Sequence, residues 1–200
     1  MIVDRPAFWY LNDFGTHFCQ ALQTDIARRN LFDELLTGPI GAAWIPPPYS
    51  ILRRRVWPDW MPCLVPLLSD RALDLLREYV TPCSELLPWI DEPDHRYTLI
   101  NVTAKIPRHQ WSCDKSSVHG DVIANADGIH ITSSSIPHVF TLEGYRGKMF
   151  VSDQLAQRSV TNGLKGVAFI DPLIPGMRLS FIPHRFGRTG TGFIRSGADH

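Results

Sequence analysis

Two periods of apolar and polar positions run along the chain, one near 3.6 residues and one near 2. Residues 17–36, "HFCQALQTDIARRNLFDELL", place Phe18, Leu22, Ile26, Leu35 and Leu36 at helical spacing. Thr16 is a candidate N-cap and Gly38-Pro39 a stop, so a helix is expected there. "WIPPPYS" follows, and Pro46, Pro47 and Pro48 enforce an extended, non-helical connector. Residues 67–89, "LLSDRALDLLREYVTPCSELLPW", run from an apolar entry through Ser69-Asp70 into a stripe of Ala72, Leu75, Leu76 and Tyr79. Ser69 suits an N-cap, Asp70 complements the helix dipole, and Pro82 marks the end. "ELLPW" then reads as a short strand. "RYTLINVTAKI", residues 96–106, is β-branched, aromatic and close to alternating, and predicts a central strand.

The stretch 107–128 is polar, with Gly120 and Gly128, and is expected to include loop. "GIHITSSSIPHVFTLEG" and "GKMFVSD" read as strands around a turn at Glu143–Gly147. Residues 150–170, "FVSDQLAQRSVTNGLKGVAFI", repeat the earlier layout: apolar entry, Ser152-Asp153, short helix, stop, apolar exit strand. The two stretches match in pattern and in the Ser-Asp pair, which suggests a repeated packing module without proving a duplication. The fold class expected is α+β, with a mainly antiparallel or mixed sheet and helices packed on one face. The expected organisation is a single domain over 57–185, preceded by an N-terminal helical extension and Pro-rich connector (1–56) and followed by a flexible Gly-rich tail (186–200).

The 200 residues suit one domain able to bury a core without metal or disulfide staples. At 44% apolar and 20% charged, the chain is globular in character. Twenty basic residues balance twenty acidic ones, which argues against nucleic acid or an anionic membrane as the main partner. The first hundred residues are acidic and the second hundred basic, but halves that interleave in the fold mix those charges. Cys19, Cys63, Cys83 and Cys113 form no C-x-x-C pair, and "MIVDRPAFWY" lacks the apolar core of a secretory signal. No run approaches the length of a membrane span. A cytoplasmic protein with reduced thiols is expected.

Linear motifs for chemistry are sparse. His119-Gly120-Asp121, with His130 or His138, offers metal-competent side chains but implies no third rigid ligand. "GRTGTG", residues 187–192, lacks the Lys-Ser/Thr ending of a phosphate loop. Cys113 lies beside His109 and Asp114, whereas catalytic partners usually meet from distant segments. Arg53, Arg54 and Arg55, close to Trp57 and Trp60, form a short basic-aromatic stretch that an exposed loop explains. No motif supports an enzyme, a metal or a cofactor. A hydrolase using the region from His119 to His138 is the alternative to a binding protein, and a general interaction module is a third reading.

The series "LVPLLSDRALDLLREYV", "SELLPW", "RYTLINV", "HVF" and "MFVSDQL…GLKGVAF" resembles, in that order, immunity family eleven of bacterial polymorphic toxin systems. The resemblance covers about residues 57–172. Ser69, Asp70, Tyr97, Leu99, Asn101, Val102, Ser152, Asp153, Gly166 and Phe169 carry it. The family commonly has Arg after the Phe that Phe140 matches, and here Thr141 stands in that place. The resemblance implies a protein that neutralises a cognate toxin by binding and occlusion, with no cofactor. Shared motifs would then be scaffold, and recognition would lie on segments outside the series. The candidates are the acidic loop Asp91, Glu92 and Asp94, the stretch Arg53, Arg54, Arg55, Trp57 and Trp60, and the turn with Tyr145 and Arg146. Arg and Trp are favoured at interface hot spots, and acids suit a basic toxin site.

Overall fold

The computed structural model describes residues 8–13, 38–46, 57–61, 66–119, 121–145, 149–172, 177–180 and 192–195. The expected helix over 17–36, the triplet Arg53–Arg55 and Arg146 lie outside them. The described strands are β1 (Phe8–Asp13), β2 (Trp60–Met61), β3 (Leu67–Ser69), β4 (Ser84–Glu92), β5 (His95–Val102) and β6 (Lys105–Ile106). They continue with β7 (Trp111–His119), β8 (Val122–Ile131), β9 (Val139–Leu142), β10 (Phe150–Ser152), β11 (Val167–Ile170), β12 (Met177–Ser180) and β13 (Gly192–Arg195). Two α-helices are described, α1 (Asp70–Val80) and α2 (Asp153–Thr161). The class is α+β.

Each helix starts where the sequence predicts. Ser69 has an extended backbone, and its Oγ accepts from the Ala72 N–H at 3.2 Å. Ser152 does the same for the Leu155 N–H at 3.3 Å. Each hydroxyl thereby satisfies an amide that the first helical turn cannot. Asp70 and Asp153 follow in the first turns, where the dipole favours an anion. Thr81–Cys83 winds into a short 3₁₀ turn around Pro82 and delivers the chain to β4.

The strands form a four-stranded sheet (β2-β3-β5-β4), a seven-stranded sheet (β13-β12-β11-β1-β10-β9-β6) and a two-stranded ribbon (β7-β8). The described pairings are antiparallel apart from β6 with β9 and the single bridge Ile123–Tyr145, so the larger sheet is mixed. Both helices pack against both larger sheets in one core. Leu68, Ile100 and Trp60 come from the smaller sheet, Val139, Val151, Val167 and Phe169 from the larger, and Ala72, Leu76, Leu155 and Val160 from the helices. A second core lies on the larger sheet's other face. There Phe140 and Phe150 stack at 5.5 Å, and the ribbon covers them with Trp111, Ile123 and Ile129.

The register reveals how far the repeat extends. Leu99 of β5 lies between Leu67 and Leu87, and Tyr10 of β1 lies between Phe150 and Ile170. The interval from Leu67 through the helix to Leu87 equals that from Phe150 to Ile170. Ser69 therefore corresponds to Ser152, and Asn101 to Asn12. The hairpin strands before the helices also correspond: Trp60 pairs Leu68 as Val139 pairs Val151. The order β2-β3-β5-β4 is thus repeated as β9-β10-β1-β11. One copy takes its central strand from downstream of its helix, the other from the start of the chain.

Several expectations change. Residues 1–56 are not all extension, because Phe8–Asp13 is an interior strand of the seven-stranded sheet. The tail includes an edge strand, Gly192–Arg195, paired with β12. The stretch 107–128, read as including loop, is mostly the ribbon, which packs on the second core at its root and is exposed on both faces over Asp114–Val118. The strand expected over 96–106 is interior in the smaller sheet as far as Val102, then crosses to pair Lys105 with Thr141 in the larger one. Among the described residues no helix is long and apolar enough to cross a membrane.

Candidate interaction surface

β4 and β5 meet in a tight turn at Pro93-Asp94 that carries the acidic loop. The Asp91 side chain is 89% exposed, and Asp94 is exposed. The Arg96 Nε lies 3.7 Å from Asp91 and 3.8 Å from Asp70 of α1, two loose surface contacts that leave the tip acidic. Glu92 closes β4 opposite His95. At the root of the turn His95 stacks on half-buried Trp57 at 3.9 Å, and Tyr97 stacks at 5.8 Å from the same ring. The Tyr97 hydroxyl donates to the Pro58 carbonyl at 2.7 Å and fixes the approach to β2. Two separate candidates, the acidic loop and Trp57, therefore form one patch.

Other candidates do not join it. Trp60 is 1% exposed and lies edge-on to Phe169 in the main core, so it is not a surface anchor. Tyr145, expected to be exposed on its turn, is buried at 8% between Trp111 and Phe150, where its ring completes the second core. Gly166, one of the motif residues, has φ +95°, and a Cβ there would collide with the Trp60 carbonyl and Pro58. Its role is the close approach of the α2–β11 turn to β2.

Three polar clusters carry the motifs into structure. The Asp59 carboxylate accepts from the Ser69 hydroxyl at 3.2 Å, the Arg71 guanidinium at 2.8 Å and the Lys165 N–H at 2.9 Å. Arg71 also donates to the Asn162 carbonyl at 2.7 Å, so this cluster ties the start of α1 to the end of α2. At the equivalent place in the second unit, His138 Nδ1 is 2.8 Å from the Ser152 hydroxyl, and its ring meets Tyr79 edge-on. A Ser–His contact invites a nucleophile, but Ser152 is buried at 8% and caps α2, as Ser69, in contact with Asp59, caps α1. Backbone bonds repeat too: Ser69 N–H to Asp59 carbonyl, Ser152 N–H to His138 carbonyl. The shared role is to orient the cap.

The third cluster straps residues 38–46 to the smaller sheet. Ile40 is right-handed and Gly41 has φ +59°, which turns successive N–H groups inward as a nest. The Glu85 carboxylate fills it, accepting from Ile40 N–H at 2.7 Å, Gly41 N–H at 2.8 Å and Asn101 Nδ2 at 2.8 Å. Burial pushes the Glu85 carboxyl up, but these three donors outweigh it and hold the group below its ordinary value. Trp44 then donates its indole N–H to the Pro88 carbonyl at 2.8 Å and packs edge-on to Trp89. Asn101 had been singled out only as part of a strand motif, and Glu85 and Asp59 not at all. Their partners lie far away in sequence, and no local spacing announces such a contact.

Of the region between His119 and His138, His130 pairs with Asp114 at 3.1 Å across the ribbon's exposed face. Cys113 is half-buried beneath it against the second core. Among the described residues no three His, Cys, Asp or Glu side chains converge as metal ligands. Compared with known proteins, the chain matches no protein-family model and no curated sequence.

Proposed function

We propose that the chain is an immunity-type protein that binds a cognate bacterial toxin domain in the cytoplasm and neutralises it by occlusion. What supports this reading is the division between two sets of residues. Those carrying the resemblance do scaffold work: Ser69 and Ser152 cap helices, Asn101 and Tyr97 fix loops, Gly166 admits Trp60, and Phe169 fills the core. Outside that series, Asp91 and Asp94 stand exposed above the Trp57–His95 stack. Such a patch joins charge that steers association to an aromatic that anchors it. A toxin domain with a basic active site is the complementary surface.

The test is co-expression with the toxin-domain product of a neighbouring gene, followed by pull-down and growth rescue. Reversing Asp91, Glu92 and Asp94 to Lys should weaken the complex about tenfold or more and flatten its salt dependence. Unchanged affinity and unchanged salt dependence in a folded variant would remove this patch from the interface.

A further inference from the structure

The two copies of the strand–helix–strand unit differ at one edge. In the second copy β11 pairs with β1 on its inner side and with β12 on its outer side, matching Ala168 to Ser180, Phe169 to Leu179 and Ile170 to Arg178. In the first, β4 pairs with β5 and is the last described strand of its sheet. The backbone directions on that edge follow from one bond. The Ile100 N–H donates to the Pro66 carbonyl, on the β3 side of β5. Neighbouring residues of a strand face opposite sides, so Leu99 and Asn101 bond towards their partners Leu87 and Glu85. Ser84, Leu86 and Pro88 must then turn their peptide groups outward. Pro88 has no N–H, and its carbonyl is taken by Trp44. The outward amides and carbonyls of Ser84 and Leu86 have no described backbone partner.

We infer that the outer edge of β4 is a docking site for an extended segment of a protein partner, which pairs antiparallel with Ser84–Pro88 as β12 pairs with β11. Strand addition of this kind draws affinity from main-chain bonds. The occupant's character follows from two observations. The same unit already accepts an antiparallel strand at the equivalent positions, Ala168 to Ile170. A segment paired antiparallel with Ser84–Pro88 starts at the end of β4 nearer the turn that carries exposed Asp91 and Asp94, so basic residues preceding its paired stretch are complementary there. The Trp44 indole N–H holds the place of one strand donor and is displaced on docking. This inference rests on the proposed function for the partner being a toxin, but its test needs no toxin.

The probe is a synthetic peptide of residues 175–181, Pro-Gly-Met-Arg-Leu-Ser-Phe, titrated into the full chain by calorimetry and tryptophan fluorescence. Saturable binding is expected. Leu86→Pro removes an outward N–H while leaving the β5 ladder intact, and should weaken binding about tenfold or more. Trp44→Phe frees the Pro88 carbonyl and should tighten it about three- to tenfold, an arm independent of whether Leu86→Pro folds. Absence of binding to both wild type and Trp44→Phe, or equal binding by a folded Leu86→Pro, overturns the site. A dimer in solution that Leu86→Pro dissolves would make a second copy the occupant and overturn the choice of partner. Peptide binding without toxin protection sinks the functional reading and keeps the edge; protection without peptide binding does the reverse.

Discussion

Removing the Asp59 carboxylate tests whether the two units depend on each other. The side chain is 11% exposed and accepts from Ser69, Arg71 and the Lys165 N–H. In Asp59→Ala the Lys165 amide loses its acceptor, which costs about 1–3 kcal/mol where water cannot replace it. Arg71 is about half exposed and regains solvation, so its loss adds about 1 kcal/mol or less. Ser69 keeps its cap but loses the group that orients its hydroxyl. The total is about 1–4 kcal/mol, and at about 2–4 °C per kcal/mol for a chain of this size the melting temperature should fall by roughly 2–15 °C. Thermal and urea unfolding of wild type, Asp59→Ala, Arg71→Ala and the double variant measure both the loss and the coupling. A loss below about 0.5 kcal/mol, or additive single effects, would refute the staple.

Two further outcomes follow from the caps and the strap. Ser69→Ala should cost about 1 kcal/mol and Ser152→Ala about 1–2 kcal/mol, because Ser152 is buried and its loss also strands His138; equal unfolding midpoints for wild type and both variants would exclude capping. Glu85 has a depressed pKa, so its contribution is present above the ordinary carboxylate value of about 4.3 and lost as pH falls through its own lower value. Tryptophan emission should therefore report loosening of Trp44 from Trp89 on acidification below about pH 4, and an identical acid transition in Glu85→Gln would assign it to another group.

What the sequence made legible was local. The Ser-Asp helix starts and the Tyr97–Val102 strand are written in adjacent residues, because caps and alternation are short-range effects. The ribbon of Trp111–Ile131 was hidden because its distal residues face water on both sides, which blurs the period-2 pattern. Within the candidate patch, the acidic loop was visible as three acids in four residues. Its union with Trp57 was not, since the link is a ring stack across sequence-distant segments. Trp60 and Tyr145 misled for a related reason: an aromatic beside a turn reads the same whether its ring points out or in.

The position of β1 has a consequence for the order in which the chain can fold. The first unit, from Asp59 to Val102, has all four of its strands within a short stretch of chain, so its contacts close early and cheaply. The second cannot close in that way. Its central strand leaves the ribosome before the rest of the unit, and its neighbours β10 and β11 follow on the order of 140 residues later. Until they arrive Phe8–Asp13 is a lone apolar strand with both edges bare, and β10 and β11 have a slot where it belongs. Long-range closure of this kind is slow and leaves pairing surfaces open to other chains. Relocating the Phe8–Asp13 segment to follow β11 would turn the late step into a local one, and the second unit would then mature at the pace of the first.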